Sequence, residues 1–300
     1  MVTIMTIKSK PINALLNAFF IVLAAAFVFP LLLVVIISIT DQDAINQFGY
    51  QLIPAKLSLD AYRYIFASDM GVGHAYLVTI FATVIGTLFS VTVIALYAYP
   101  LSRPGLKYKG FFTFYIFFTM LFSGGLLAWY IVVTKYYHLG NTIFALILPM
   151  SMNAWYVIIM RTFFQTTIPI SIIESAKMDG AGEIRILFSL VFPLALPAIA
   201  TIALFQTLAY WNDWWNPMLL ITDKKLYNLQ FLLQVMMQNI QMMSESTTMS
   251  TDVASRFAGD IPEDSVRMAL CVLAMGPILI VYPFFQRYFI QGLTIGAVKG

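Results

Sequence analysis

Charge is what this chain has least of. Only 10% of its 300 residues are Asp, Glu, Lys or Arg, while 60% are apolar. Soluble domains carry nearer ~25% charged residues, and a globule of this size with so few could not keep its surface wet without large apolar patches. Most soluble readings are thereby excluded, and the bilayer becomes the natural second solvent. Cysteine is almost missing as well: Cys271 stands alone, which excludes an internal disulfide and any cysteine-based metal site. His74 and His138 lie apart in loop regions, without metal-ligand spacing. A net charge of +3, from 17 Lys+Arg against 14 Asp+Glu, is too mild to suggest nucleic acid. The chain has no GxxxxGKS/T phosphate loop, so it cannot bind ATP in that way itself. It also lacks HExxH, GxSxG and paired buried carboxylates, which disfavours an intramembrane enzyme.

What the chain has in quantity is apolar runs. A run of about 20 residues crosses ~30 Å of hydrocarbon as a helix. Six such runs occur: Ile12–Ile39, Ala75–Tyr99, Phe111–Tyr130, Thr142–Thr162, Pro193–Ile221 and Arg267–Ile290. They are continuous rather than alternating, as residues 31–37 illustrate, which excludes a β-barrel. Lys8 and Lys10 before the first run and Ala24-Ala25-Ala26 within it mimic a secretory signal. Apolar residues continue well past that triplet, so the run reads as an uncleaved anchor. The expected fold is an all-α membrane protein with six transmembrane helices.

Loop charge sets the expected orientation. With the N-terminus inside, Lys8, Lys10, Arg103, Lys107, Lys109, Arg161, Lys177, Arg185, Arg287 and Lys299 all fall on the cytoplasmic side. Only Glu174, Asp179 and Glu183 of the acids join them. This agrees with the positive-inside rule and places both termini in the cytoplasm. Residues 1–74 then form an anchor helix and outer loop, 75–290 the transmembrane core, and 291–300 a cytoplasmic tail. The core includes an inner loop at 165–192 and an outer loop at 222–266. The outer loop carries an amphipathic stretch, Leu226–Met243, followed by Ser244–Thr251, which reads as flexible.

The inner loop is more than a connector. Pro169, Ser171 and Glu174 fit a helix start with Ser171 as cap. The helix Ile172–Met178 is expected to stop near Gly180 and Gly182, and a second helix, Glu183–Val191, to follow before Pro193 opens the next span. The result is helix, glycine turn, helix, with small residues at Ser175, Ala176, Gly180, Ala181 and Gly182 that let another surface approach closely.

Glu174-Ser175-Ala176, three residues, Gly180, nine residues, Leu190, one residue and Phe192-Pro193 resembles the EAA loop of ABC importer permeases. Glu174, Ala176, Gly180 and Pro193 match that pattern outright, while Ser175, Leu190 and Phe192 depart conservatively. The stretch from Trp211 to Pro217 resembles the W-N-D/E-x3-P stretch of carbohydrate importer permeases. The end, Gly292–Gly300, looks like the tail of maltose-importer G-type permeases. Ile261-Pro262-Glu263, Arg267-Met268-Ala269 and the run from Tyr282 to Phe289 are similar to LplC/YtcP-like oligosaccharide permeases.

The resemblance implies a type I ABC importer permease (MetI-like) fold. It also implies that the inner loop is a coupling helix seated in a cleft of an ATP-binding subunit. Glu174 would meet a basic residue there, with Ser175, Ala176, Asp179, Gly180 and Gly182 shaping the contact. The tail, through Gly292, Thr294, Gly296 and Lys299, would run extended between two ATPase subunits. ATP and Mg would sit on those subunits, leaving this chain without a cofactor. Further implied partners are a second permease forming a heterodimer and an outer solute-binding protein delivering a carbohydrate. The setting is a bacterial cytoplasmic membrane.

Asp213 is the acid placed deepest within a span, clustered with Trp211, Asn212, Trp214, Trp215 and Asn216. Intramembrane acids are costly and face a cavity or a partner. A structural or gating role is favoured over direct sugar contact. Asn153, Trp155, Tyr156 and Gln206 are weaker pathway candidates, since such residues commonly bond helix to helix. Gly124-Gly125, Pro149, Pro197, Pro277 and Pro283 are expected to permit kinks, and the phenylalanines at 111, 112, 114, 117 and 118 to face lipid. An ion-coupled secondary transporter is the alternative, but it calls for ionisable groups near mid-membrane and inverted repeats, and neither is seen.

Overall fold

The computed structural model describes residues 10–67, 71–249 and 263–297. Helices run in the order α1 (Lys10–Ser38), α2 (Gln42–Phe48), α3 (Asp60–Ala67), α4 (Val72–Ser102), α5 (Lys109–Leu121) and α6 (Gly125–Ile131). They continue with α7 (Ala154–Thr167), α8 (Ile170–Met178), α9 (Glu183–Ile186), α10 (Phe192–Leu194), α11 (Leu196–Trp211), α12 (Trp215–Leu220), α13 (Leu229–Met249) and α14 (Glu263–Ala297). Among the described residues the only extended pairing is a single bridge between Thr40 and Leu57.

Three helices are long and apolar enough to cross a membrane unaided, over Ile12–Ser38, Val72–Ser102 and Glu263–Val281. The other three expected spans are bent pairs rather than single rods. Lys109–Leu121 meets Gly125–Tyr136 at 117°, Ile143–Met150 meets Ala154–Thr167 at 52°, and Glu183–Leu194 meets Leu196–Trp211 at 86°. Each break has a local cause. Gly125 takes φ +81°, which side-chain-bearing residues avoid. Pro149 ends a tight 3-10 turn, and Asn153 then restarts the chain by accepting from the Trp155 amide at 2.9 Å. Pro193 and Pro197 flank Ala195 and remove two backbone donors from the helix there. Pro30, Pro100, Pro277 and Pro283 stay inside continuous helices.

The chain divides into two compact units, residues 1–69 with 237–275, and residues 70–236 with 276–300. In the first, the Gln42 side-chain oxygen Oε1 accepts from the amides of Asp264 and Ser265 at 3.1 Å each, capping α14. Tyr50 donates to Asp264 at 3.1 Å. The segment between α1 and α3 is closed on itself by the Asp41–Lys56 ion pair at 2.9 Å and by backbone bonds from Asp41 to Lys56 and from Ser58 to Ile39.

The second unit is organised around α4, which packs along α7 and α11. Ile94, Ala95, Ala98, Met160, Phe164, Ile186, Val191 and Ile202 fill its main core. The α4 face toward α11 is built from small residues, including Ala82, Gly86 and Ser90, which let two backbones come close. A buried polar knot sits on the same seam. Gln206 donates to Ser90 Oγ at 2.6 Å, Ser90 donates to the Ser151 carbonyl at 2.6 Å, and Tyr210 donates to the Ile147 carbonyl at 2.8 Å. These bonds satisfy carbonyls that the broken stretch at 143–151 cannot pair within itself, which is the condition for irregular backbone at membrane depth.

Several expected boundaries move. The stretch Ser244–Thr251, read as a loop, is helical as far as Met249. The tail, expected to be extended, keeps helical backbone through Ala297, with no proline after Pro283 to interrupt it. The phenylalanines of α5 do stand on its outer surface, Phe111 and Phe114 being more than 60% exposed.

Candidate coupling site

The elbow at 168–195 is assembled by backbone geometry. Helix α8 begins at Ile170 with Pro169 in extended conformation before it and no side-chain cap, so the expected Ser171 cap is not used. The proline fixes the entry angle instead. At the other end the Ala181 amide donates to the Ala176 carbonyl at 2.9 Å and the Gly180 amide to the Lys177 carbonyl at 3.0 Å. That pair of bonds, with Gly180 at φ +82°, is a complete Schellman closure. Gly182 is extended and leads into α9, whose first turn is closed by Ile186 donating to the Gly182 carbonyl at 3.0 Å.

The second helix is shorter than expected. It is α-helical over Glu183–Ile186, and residues Leu187–Val191 then form a π turn. The widening falls just ahead of Pro193, which has no amide to continue the α pattern.

The faces of the elbow differ sharply. Ile173 and Ala176 are buried, 3% and 9% exposed, and join the core together with Ile186 and Leu187. Glu174, Ser175, Asp179, Gly180 and Gly182 are all exposed. Met178 and Ile184 stand out at 89% and 72% exposed, two apolar side chains flanking the glycine turn. Five of the six predicted residues of this group are therefore exposed on the elbow, while Ala176, expected to face a partner, packs into the core instead.

Behind that surface, Glu183 makes two bonds. Its Oε1 pairs with Lys177 Nζ at 2.5 Å, and its Oε2 accepts from the Tyr99 hydroxyl at 2.7 Å. The Arg103 guanidinium lies over the Tyr99 ring, 4.6 Å from its centre. A cavity of about 480 Å³ between the end of α4 and the elbow is lined by Tyr99, Arg103, Ile173, Glu174, Lys177 and Glu183 among others. Sequence reasoning missed Tyr99 and Arg103, because their relation to the elbow is set by tertiary packing across 84 residues.

The remaining candidates scatter. Asn153 caps α7, and Trp155 beside it is 56% exposed. Gln206 is 2% exposed and bonded to Ser90. Trp211 is buried at the end of α11, and Asn212 donates to the Leu208 carbonyl at 2.8 Å. Asp213 is 8% exposed and accepts from Asn216 twice, from the amide at 3.1 Å and from the side chain at 2.8 Å. Asn228 donates to the Asp213 carbonyl, fastening the start of α13 to the same corner. In the tail, Gly292, Thr294 and Gly296 lie on helical backbone, while Lys299 is outside the described residues. No three His, Cys, Asp or Glu side chains among the described residues converge as metal ligands would.

An all-helical, multi-span chain with broken helices and an exposed elbow has the build of a membrane transport subunit. A family model described as "binding-protein-dependent transport system inner membrane component" matches residues 92–295, and the chain belongs to that family. It is thus a transport permease subunit and not an enzyme. It is 40% identical over 294 residues to the polygalacturonan/rhamnogalacturonan transport system permease protein YtcP of Bacillus subtilis, covering 98% of this chain and all of that one. It is 36% identical to protein LplC of the same organism, covering 92% and 90%. Among solved structures it is similar to a bacterial ABC transporter involved in the import of the acidic polysaccharide alginate. That match has a TM-score of 0.78 and 30% identity and covers 94% of this chain and 98% of the other.

Proposed function

We propose that this chain is one half of the pore of an ATP-driven importer for oligosaccharides, including uronate-containing ones, in a bacterial cytoplasmic membrane. It pairs with a second permease, receives sugar from an outer binding protein, and takes its energy from two separate ATP-binding subunits that hold ATP and Mg. Both termini lie in the cytoplasm, and the elbow at 168–195 is the coupling helix that seats in the ATPase. Glu174, Ser175, Asp179, Gly180 and Gly182 shape that contact. The tail through Gly292, Thr294, Gly296 and Lys299 reaches between the ATPase subunits.

The observation that carries this reading is the two-faced elbow. A short helix fixed to the core by Ile173 and Ala176, closed by its own backbone at Gly180, presents Met178 and Ile184 outward. Exposed apolar side chains flanking a rigid turn suit a groove in a protein better than water. A rigid handle also transmits rigid-body movement, which a loose loop cannot. Asp213 and Asn216 act as a structural corner at the end of α11 in this reading, since both of their polar groups are already paired.

The substrate class is supported by the names of the relatives, which concern galacturonan, rhamnogalacturonan and alginate. Uptake by the assembled complex tests it: oligogalacturonides should be imported and neutral arabino-oligosaccharides excluded, and the reverse preference would overturn it. Co-purification tests the coupling role. The ATPase should be retained by the native chain and lost when Met178 and Ile184 are both replaced by Glu.

A further inference from the structure

We propose that Glu183 is the strut through which movement of the elbow is passed to α4, acting as a positioning residue with Lys177 and Tyr99. This rests on the coupling reading given above and adds the internal path that reading lacks.

The turn of the elbow holds its own shape but does not tie the elbow to a spanning helix. Between α8 and α9 the chain is Asp179-Gly180-Ala181-Gly182, closed by backbone bonds that stay within the elbow. Apolar packing by Ile173 and Ala176 resists separation from the core but does not fix the direction of a pull, because dispersion and burial are not directional. Glu183 supplies the missing direction. One oxygen holds Lys177 on α8, on the far side of the glycine turn, and the other holds the hydroxyl of Tyr99 in the last turn of α4. A single carboxylate therefore bonds the handle and the spanning helix at once.

Tyr99 is well placed to receive the load. It is 5% exposed, its ring meets Phe164 of α7 edge-on at 6.4 Å, and its other flank is covered by Arg103. Helix α4 in turn packs along α7 and α11. A push on Lys177 thus reaches the helices that form the middle of the unit in two hydrogen bonds.

The exposure of the ion pair argues for transmission rather than stability. The side chains of Lys177 and Glu183 are 48% and 55% exposed, and pairs this open contribute little to folding. Geometry, with both oxygens committed to different elements, is what the arrangement specifies.

The test uses the full transporter in sealed proteoliposomes, reading sugar imported per ATP hydrolysed. Glu183→Gln and Tyr99→Phe should each lower that ratio about three- to tenfold, with ATPase retention and ATP turnover unchanged. Exchanging the charges, Lys177→Glu with Glu183→Lys, should recover at least half of the lost coupling, since the Tyr99 oxygen can accept from a lysine. A native ratio in both single variants, with the ATPase bound, would overturn the strut and leave the docking reading standing. An exchange no better than Glu183→Gln alone would overturn it too. Retention of the ATPase by a chain with Met178 and Ile184 both changed to Glu would instead bring down the docking reading, and the strut with it.

Discussion

A methyl group on Gly86 would fall 2.6 Å from Cζ of Tyr210, and both ring Cε atoms lie within 3 Å of the same point. The tyrosine ring thus lies flush on the bare backbone of α4. Its hydroxyl is held at 2.8 Å by the Ile147 carbonyl, so the ring cannot retreat without losing a buried bond. Gly86→Ala should destabilise the protein by about 1–3 kcal/mol, the usual cost of overpacking a tight seam. Thermal unfolding in nanodiscs checks this, and adding Tyr210→Leu should restore part of the loss.

Ser90 and Gln206 form the polar knot beside that seam, and both are nearly inaccessible. Replacing Gln206 with Leu removes the donor to Ser90. Replacing Ser90 with Ala takes the donor from the Ser151 carbonyl and leaves the Gln206 amide only its long 3.5 Å bond to the Met150 carbonyl. Leaving buried groups unpaired costs about 1–3 kcal/mol, so Ser90→Ala should be the more damaging of the two in the same melting experiment.

At Gly180 a side chain would meet backbone strain but no steric neighbour, since nothing lies within 4 Å of a Cβ built there. A residue forced into this left-handed conformation costs roughly 1–2 kcal/mol. Gly180→Asn, which tolerates that region, should keep sugar transport near native. Gly180→Val should reduce import per ATP severalfold while the chain still inserts.

The reach of sequence reasoning can be seen in these same residues. Gly180 was legible because a turn that stops one helix and starts another needs a residue free to take positive φ, and the surrounding spacing matched a known loop. The six apolar runs were legible because a bilayer demands length and little else. The bends were only half legible. Gly125, Pro149 and Pro197 announced that kinks were possible, but the angle of each depends on what catches the freed carbonyls. At the Pro149 break the carbonyls are caught by Ser90, Gln206 and Tyr210, which come from distant segments. Glu183 was visible only as an acid in a first helical turn, and nothing in its neighbourhood pointed to Tyr99.

Asp213 offers a test of structure against recognition. Its carboxylate accepts two bonds from Asn216 and caps the short helix α12. Asp213→Ala should lower the melting temperature, the loss corresponding to about 1–3 kcal/mol. Uptake of acidic and neutral sugars should fall in the same proportion. A selective loss of one sugar class would point instead to direct contact with the cargo.

The Asp41–Lys56 clasp should hold through the neutral range and loosen in acid. The Lys56 ammonium, mainly through its hydrogen bond, holds the Asp41 carboxyl below the ordinary carboxylate range. A carboxyl lowered in this way contributes to stability above its unfolded pKa and loses that contribution as pH falls through its folded one. Protection factors for hydrogen exchange at the amides of Asp41 and Ser58 should therefore be flat through the neutral range and fall in strong acid. Asp41→Asn should show the looser behaviour already at pH 7.

Among the three described helices long and apolar enough to cross a membrane unaided, α1 is the least covered, with only 6% of its most apolar window buried. Leu15, Phe27 and Val22 each turn roughly 70% of their surface outward. Such a segment answers to the thickness of the oil around it and hardly at all to the shapes of its neighbours. Almost any greasy lettering of the right length would serve there.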